Sequence, residues 1–186
     1  MRVLFEFSRE DLEKRFTYLN LIKSHIFSLN YKLTRDLLTE IKEKGDRLPS
    51  DIFNIIQDAI SEADAVIIEG SRISMGVGFI LSESINKGKP VLFLSDSISN
   101  NLKSRFVKKI KSKYLITSTY ESKKDLIEAL DNFFEETGKI KTRFNLVLDN
   151  KLDSFVTIES DKKGISKTEY ITNLINKEVK KEKSRD

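Results

Sequence analysis

The stretch EGSRISMGVGFI (residues 69–80) places three of the chain's seven glycines between an apolar run and a helical one. The hydroxyls of Ser71 and Ser74 and the guanidinium of Arg72 are groups that bind anions. Gly76 and Gly78 leave the amides of a helix start open to close approach, and such a start turns unbonded N–H groups and the positive end of its dipole toward a ligand. Ser8, in FSRED (7–11), adds a hydroxyl after an earlier apolar run. Together these residues suit phosphate or nucleotide binding. Glu69 and Glu83 are the carboxylates nearest the turn and the candidates for catalysis, Glu69 also reading as a structural hydrogen-bond acceptor. Other chemistries are closed. The chain has no cysteine, hence no thiolate nucleophile, zinc–thiolate site or disulfide framework. Its single histidine, His25, lies in a helical pattern beside Leu21 and Ile22 and reads as a helix-surface residue. No metal site and no cofactor is expected.

The elements that must position these groups follow from hydrophobic periodicity. RVLFEF (2–7) reads as a strand, and residues 10–29 carry Leu12, Phe16, Leu19, Ile22, Ile26 and Leu29 at helical steps. YKLTRDLL (31–38) reads as a second strand, followed by a polar loop. Pro49 with Ser50 or Asp51 opens a helix whose apolar face is Ile52, Ile55, Ile56, Ala59 and Ile60. AVIIE (65–69), PVLFLS (90–95) and YLITST (114–119) are short continuous apolar runs of the kind found in parallel strands buried on both faces. Helices at about 76–87, 98–110 and 121–136 separate or follow them. This alternation predicts an α/β fold, a flavodoxin-like (Rossmannoid) doubly wound parallel sheet of five strands in the order 2-1-3-4-5. Ligands in such sheets sit beyond the carboxyl ends of the strands, which singles out loops 7–11 and 69–78.

Composition supports one core with a small module attached: 186 residues, 39% hydrophobic and 33% charged. No apolar stretch approaches a membrane span and the amino terminus does not resemble a signal peptide, so a cytoplasmic protein without a membrane partner is expected. The net charge of +4 is unevenly distributed. Residues 139–186 hold twelve Lys and Arg against eight Asp and Glu, leaving 21 against 21 in residues 1–138. The whole excess is carboxy-terminal, which points to a polyanionic partner for that segment alone.

Residues 63–94 resemble the central segment of the nucleoside 2-deoxyribosyltransferase superfamily, and within it the 2'-deoxynucleoside 5'-monophosphate N-glycosidases. Asp64, Glu69, Ser74, Gly76, Gly78, Phe79, Lys89 and Pro90 match that segment in order. The resemblance extends over roughly residues 1–135 and implies that Ser74 and the Gly76 region receive a nucleotide 5'-phosphate. The family's nucleophilic glutamate directly follows the aromatic residue. Here that position is Ile80, which supplies neither covalent catalysis nor stabilisation of an oxocarbenium ion. Glu83 lies about 4 to 5 Å further along the helix, a large displacement for a catalytic carboxylate.

The last 48 residues follow another pattern. Phe144, Leu146 and Leu148 alternate with Arg143, Asn145 and Val147, as in a two-faced strand. A helix with Leu152, Phe155, Val156 and Ile158 ends at Lys162-Lys163-Gly164, and Ser166 with Glu169 forms a capping box opening a second helix. Strand, helix, turn and helix in this order resemble the ribbon-helix-helix DNA-binding fold of the Arc, MetJ and CopG type. The resemblance implies a homodimer, or a higher homo-oligomer, whose paired strands enter the major groove of double-stranded DNA. Arg143, Asn145 and Val147 would face the bases, and Ser166 and Lys167 a backbone phosphate. The expected organisation is an α/β domain over 1–137, a ribbon-helix-helix module over 138–180 and a disordered basic tail over 181–186. The expected function is dimeric DNA binding and transcriptional regulation, with a catalytically degenerate nucleotide-binding-like domain as sensor or oligomerisation unit. The alternative is a nucleotide or nucleoside N-glycosidase or deoxyribosyltransferase recruited to DNA.

Overall fold

A computed structural model describes residues 1–183 apart from 46, 48, 98–105 and 140–145. The chain divides into two units, residues 1–140 and 141–186. In the first, β1 (Arg2–Phe7), β2 (Lys32–Asp36), β3 (Ala65–Glu69), β4 (Val91–Asp96) and β5 (Leu115–Tyr120) form one sheet in the order β2-β1-β3-β4-β5. Every pairing is parallel, with Phe7 opposite Glu69 and Glu69 opposite Leu94. The helices are α1 (Leu12–Ser28), α2 (Leu37–Lys44), α3 (Ile52–Glu62), α4 (Met75–Asn86) and α5 (Lys123–Lys139). The α/β class and the strand order are those the sequence predicts.

Alternation along β1 builds both layers. Val3, Phe5 and Phe7 pack with Leu19, Ile22 and Ile26 of α1 and with Leu126, Leu130 and Phe133 of α5. Leu4 points the other way and joins Val66, Ile68, Val91 and Phe93 under Ile60 of α3 and Val77, Ile80 and Leu81 of α4. A parallel sheet covered on both faces needs this two-sided apolar composition. His25 contacts Asp131 of α5 at 2.8 Å, a link between two helices.

One element departs from expectation. Residues 37–44, read as the end of a strand and a polar loop, form α2. Asp36 opens it, accepting the Thr39 N–H at Oδ1 (3.2 Å) and the Thr39 hydroxyl at Oδ2 (2.8 Å), an N-cap that stops the strand two residues earlier than expected. The helix expected over 98–110 falls largely outside the described residues.

The second unit contains α6 (Asn150–Lys163) and α7 (Lys167–Lys183). Asp149 caps α6 by accepting the Leu152 N–H at 2.8 Å. Gly164, at φ 64°, ends it in the left-handed conformation that favours glycine, and Ser166 Oγ accepts the Glu169 N–H at 3.2 Å to open α7. Val156 and Tyr170 are buried between the helices, while Leu152, Phe155, Ile158, Leu174, Ile175 and Val179 remain exposed. Helix α7 continues to Lys183, so the segment expected as a disordered tail from 181 is helical at its start. The strand expected at 143–148 is not formed over its described part: residues 146–149 belong to no strand. A single strand has no neighbour to take its backbone hydrogen bonds.

Candidate functional site

The carboxyl ends of β1 and β2 border a cavity of about 460 Å³, within the range of small-molecule sites. Its polar wall comes from β1 and the loop after it (Glu6, Ser8, Arg9, Glu10) and from Arg35 of β2. Ser74, Gly76, Val77 and Ile80 of the α4 start close another side, and Ile52 and Ile56 of α3 supply an apolar wall. Ser74 is the N-cap of α4: its Oγ accepts the Val77 N–H at 3.3 Å, so its hydroxyl proton points elsewhere and the helix amides of the first turn lie at the cavity.

Of the residues singled out for phosphate binding, Ser8, Ser74 and Gly76 line this cavity and two others do not. Gly78 lines a separate apolar cavity with Ile73, Leu81, Ile85 and Phe106. Two residues on a helix are turned about 200° apart, so one turn of α4 cannot present both glycines to one ligand. Ser71 is fully buried beneath the sheet edge. Its Oγ donates to Glu69 Oε1 and accepts the Asp96 N–H at 2.8 Å, which makes it a link between β3 and β4. Arg72 reaches across to the β1 loop, donating to Asp11 Oδ2 at 2.9 Å, and this hydrogen bond holds the Asp11 carboxyl below its usual range.

The two candidate catalytic carboxylates are engaged elsewhere. Glu69 is 0% exposed. It pairs with Arg15 Nη1 through Oε2, and its Oε1 accepts the Ser71 hydroxyl, the Ser71 N–H (3.2 Å) and the Tyr120 hydroxyl (3.0 Å). Burial and the Glu69 charge push the Tyr120 phenol well above its ordinary value. Arg15 also donates to the carbonyls of Ser8 and Glu10, the latter at 2.7 Å, so Glu69 fixes the β1 loop through α1. Glu83 lies outside the cavity and faces Lys87 at 3.4 Å. Ile80 does line the cavity, with an aliphatic side chain only 3% exposed.

Sequence reasoning missed the buried carboxyl in the cavity wall. Glu6 is 3% exposed and is held by Arg35, whose Nη1 donates to Oε1 at 3.1 Å. Arg35 makes its fuller contact with Glu40: Nε to Oε1 (3.0 Å) and Oε2 (3.2 Å), and Nη2 to Oε2 (2.7 Å). Burial pushes the Glu6 carboxyl up to about 7, against the pull of Arg35. The signal was present as a lone charge inside each of two strands, RVLFEF and KLTRD, since buried charges come in pairs. Among the described residues no cluster of His, Asp and Glu could hold a metal ion.

In the second unit, Arg143 and Asn145 lie outside the described residues. Val147 is 94% exposed, Ser166 caps α7, and Lys167 Nζ contacts Asp153 Oδ1 at 2.7 Å. No described helix is long and apolar enough to cross a membrane.

No protein-family model matches the chain, and no curated protein is significantly similar in sequence. Solved structures do match. The CMP N-glycosidase BcmB of Clostridium botulinum superposes with a TM-score of 0.52 at 16% identity, covering 71% of this chain and 99% of that one. The likeness is one of fold.

Proposed function

We propose that the α/β unit binds a nucleoside 5'-monophosphate in the 460 Å³ cavity, with the phosphate on the amino end of α4 beside Ser74, Gly76 and Ser8 and the nucleoside against Ile52, Ile56 and Ile80. The observation that carries this reading is the meeting of a capped helix start, two serines and an apolar wall at the carboxyl edge of the sheet. Nucleotide recognition thereby takes the lead over DNA binding. A calorimetric titration with cytidine, uridine, adenosine and guanosine 5'-monophosphates tests it. At least one should bind, the matching nucleoside should bind more weakly, and Ser74→Ala should remove most of that difference. Equal affinity for nucleoside and nucleotide would exclude a phosphate contact.

Cleavage of the N-glycosidic bond is the second reading, favoured by the fold shared with a CMP N-glycosidase and by a buried carboxyl, Glu6, in the cavity wall. Against it stands Ile80 in the position where the resembled family carries its nucleophile. We expect binding without release of free base, and chromatographic detection of base would reverse that order.

For the second unit we propose dimeric binding to duplex DNA. Two helices alone leave Phe155 (53% exposed), Ile158 (54%) and Ile175 (58%) uncovered, which a second copy would bury. The pair of Lys167 with Asp153 is exposed and so worth about 1 kcal/mol or less, little hindrance to a phosphate contact. Binding should weaken steeply with salt, and Arg143→Ala and Asn145→Ala should each cost about 1 to 3 kcal/mol. A salt-insensitive or absent interaction with every duplex tried would refute it.

A further inference from the structure

We infer that Glu6 is the specificity-determining carboxyl of this cavity: it is protonated when an anionic nucleotide is bound and donates a hydrogen bond to it. The inference rests on the nucleotide reading above and assigns a role that reading leaves open.

The argument is a count of charges around one group. From β2 the cavity receives Arg35, and behind it stands Glu40 of α2. From the loop after β1 come Arg9 and Glu10, at the cavity's rim. Helices α3 and α4 contribute Ile52, Ile56, Ser74, Gly76, Val77 and Ile80, none of them charged. Arg35 donates to Glu6 at 3.1 Å and is shared, and Arg9 adds a weaker pull from the rim. Its three contacts with Glu40 and one with Glu6 divide its charge between two carboxylates. Glu6 is left with residual negative charge in a buried wall. Burial of this charge, only partly offset by Arg35, pushes the carboxyl up to about 7 from 4.5, with both forms populated at neutral pH.

A phosphate arriving in the same cavity adds negative charge and moves the balance toward the neutral acid. Oε1 is turned to Arg35, which leaves Oε2 to carry the proton and present it to a ligand acceptor. A neutral carboxyl in this wall selects ligands by two criteria: negative charge, and an acceptor oxygen within reach of the strand. Were Glu6 only a second counter-ion for Arg35, ligand and proton would bind independently.

The test compares wild-type protein with Glu6→Gln, which keeps the shape and a donor but cannot ionise. Titrations with the four nucleoside 5'-monophosphates at pH 6, 7 and 8, in two buffers of different ionisation heat, give affinity and protons taken up. The ligand's own phosphate titration is common to both proteins. With a carboxyl near 7 that must be protonated in the complex, wild-type affinity should fall about tenfold more than that of the variant between pH 6 and pH 8. Proton uptake at pH 7 should be about 0.5 per site greater in the wild type. In parallel, the carboxyl carbon resonance of Glu6 in wild-type protein should titrate at higher pH when nucleotide is added, a measurement independent of whether the variant folds. Parallel affinity profiles in two proteins that both bind, or an unchanged Glu6 titration, would overturn this inference and leave the nucleotide reading intact. Absence of binding to either protein at every pH would overturn both.

Discussion

Replacing Glu6 by glutamine should change how folding stability depends on pH. In the folded chain the carboxyl titrates at about 7, against 4.5 for an ordinary glutamate, because burial outweighs the favourable contact with Arg35. A carboxyl whose folded-state pKa lies above the unfolded one keeps its proton in the folded chain over a range where the unfolded chain has released it. Stability therefore declines as pH rises through about 4.5 and levels off above about 7. At 1.36 kcal/mol per pKa unit the full decline is about 3 kcal/mol, most of it between pH 5 and pH 8. That is a large part of the 5 to 15 kcal/mol typical of a domain. Glutamine has nearly the same shape and no charge, so this component vanishes in the variant. Urea unfolding of both proteins at pH 5, 6, 7 and 8, followed by circular dichroism, reads the difference directly. The gap between them should move in the variant's favour by about 2 to 3 kcal/mol from the lowest pH to the highest. A gap independent of pH would mean that Glu6 is ionised throughout and that Arg35 compensates two carboxylates at once, refuting the charge count.

Glu69→Gln should destabilise the α/β unit by about 3 to 5 kcal/mol, because it leaves the buried Arg15 guanidinium facing an amide; denaturant midpoints measure this, and a stable variant lacking only nucleotide affinity would return Glu69 to the binding site. Gly70→Ala should cost about 1 to 3 kcal/mol, since a Cβ there would overlap the ring of Phe93, itself buried in the core; an unchanged melting temperature would show that the ring can move aside.

The strand order is legible in the sequence because β3 and β4 are continuous apolar runs and helical periods separate them, a pattern with few topological solutions. Helix α2 is hidden: eight residues with three apolar side chains carry little periodicity, and only the cap formed by Asp36 and Thr39 announces it. Within the site, Ser74 and Gly76 are found from their place at a helix start. Ser71 is misread because a serine after a strand can turn to the ligand or into the sheet, and composition is the same in both cases. Gly78 is misread because spacing along the chain was weighed without the helix's rotation. Glu6 goes unread because its meaning depends on Arg35, 29 residues away, and on Glu40 drawing that guanidinium toward itself.

The junction at Glu69 has a consequence for how chains of this shape are recognised. One carboxylate there ties α1 through Arg15, its own strand through Ser71 and β5 through Tyr120, and Ser71 extends the tie to β4. Mechanically it is a keystone, and removing it would loosen four elements whether or not any reaction takes place nearby. A pattern search that rewards a glutamate, glycine and serine at this bend therefore detects an architectural joint.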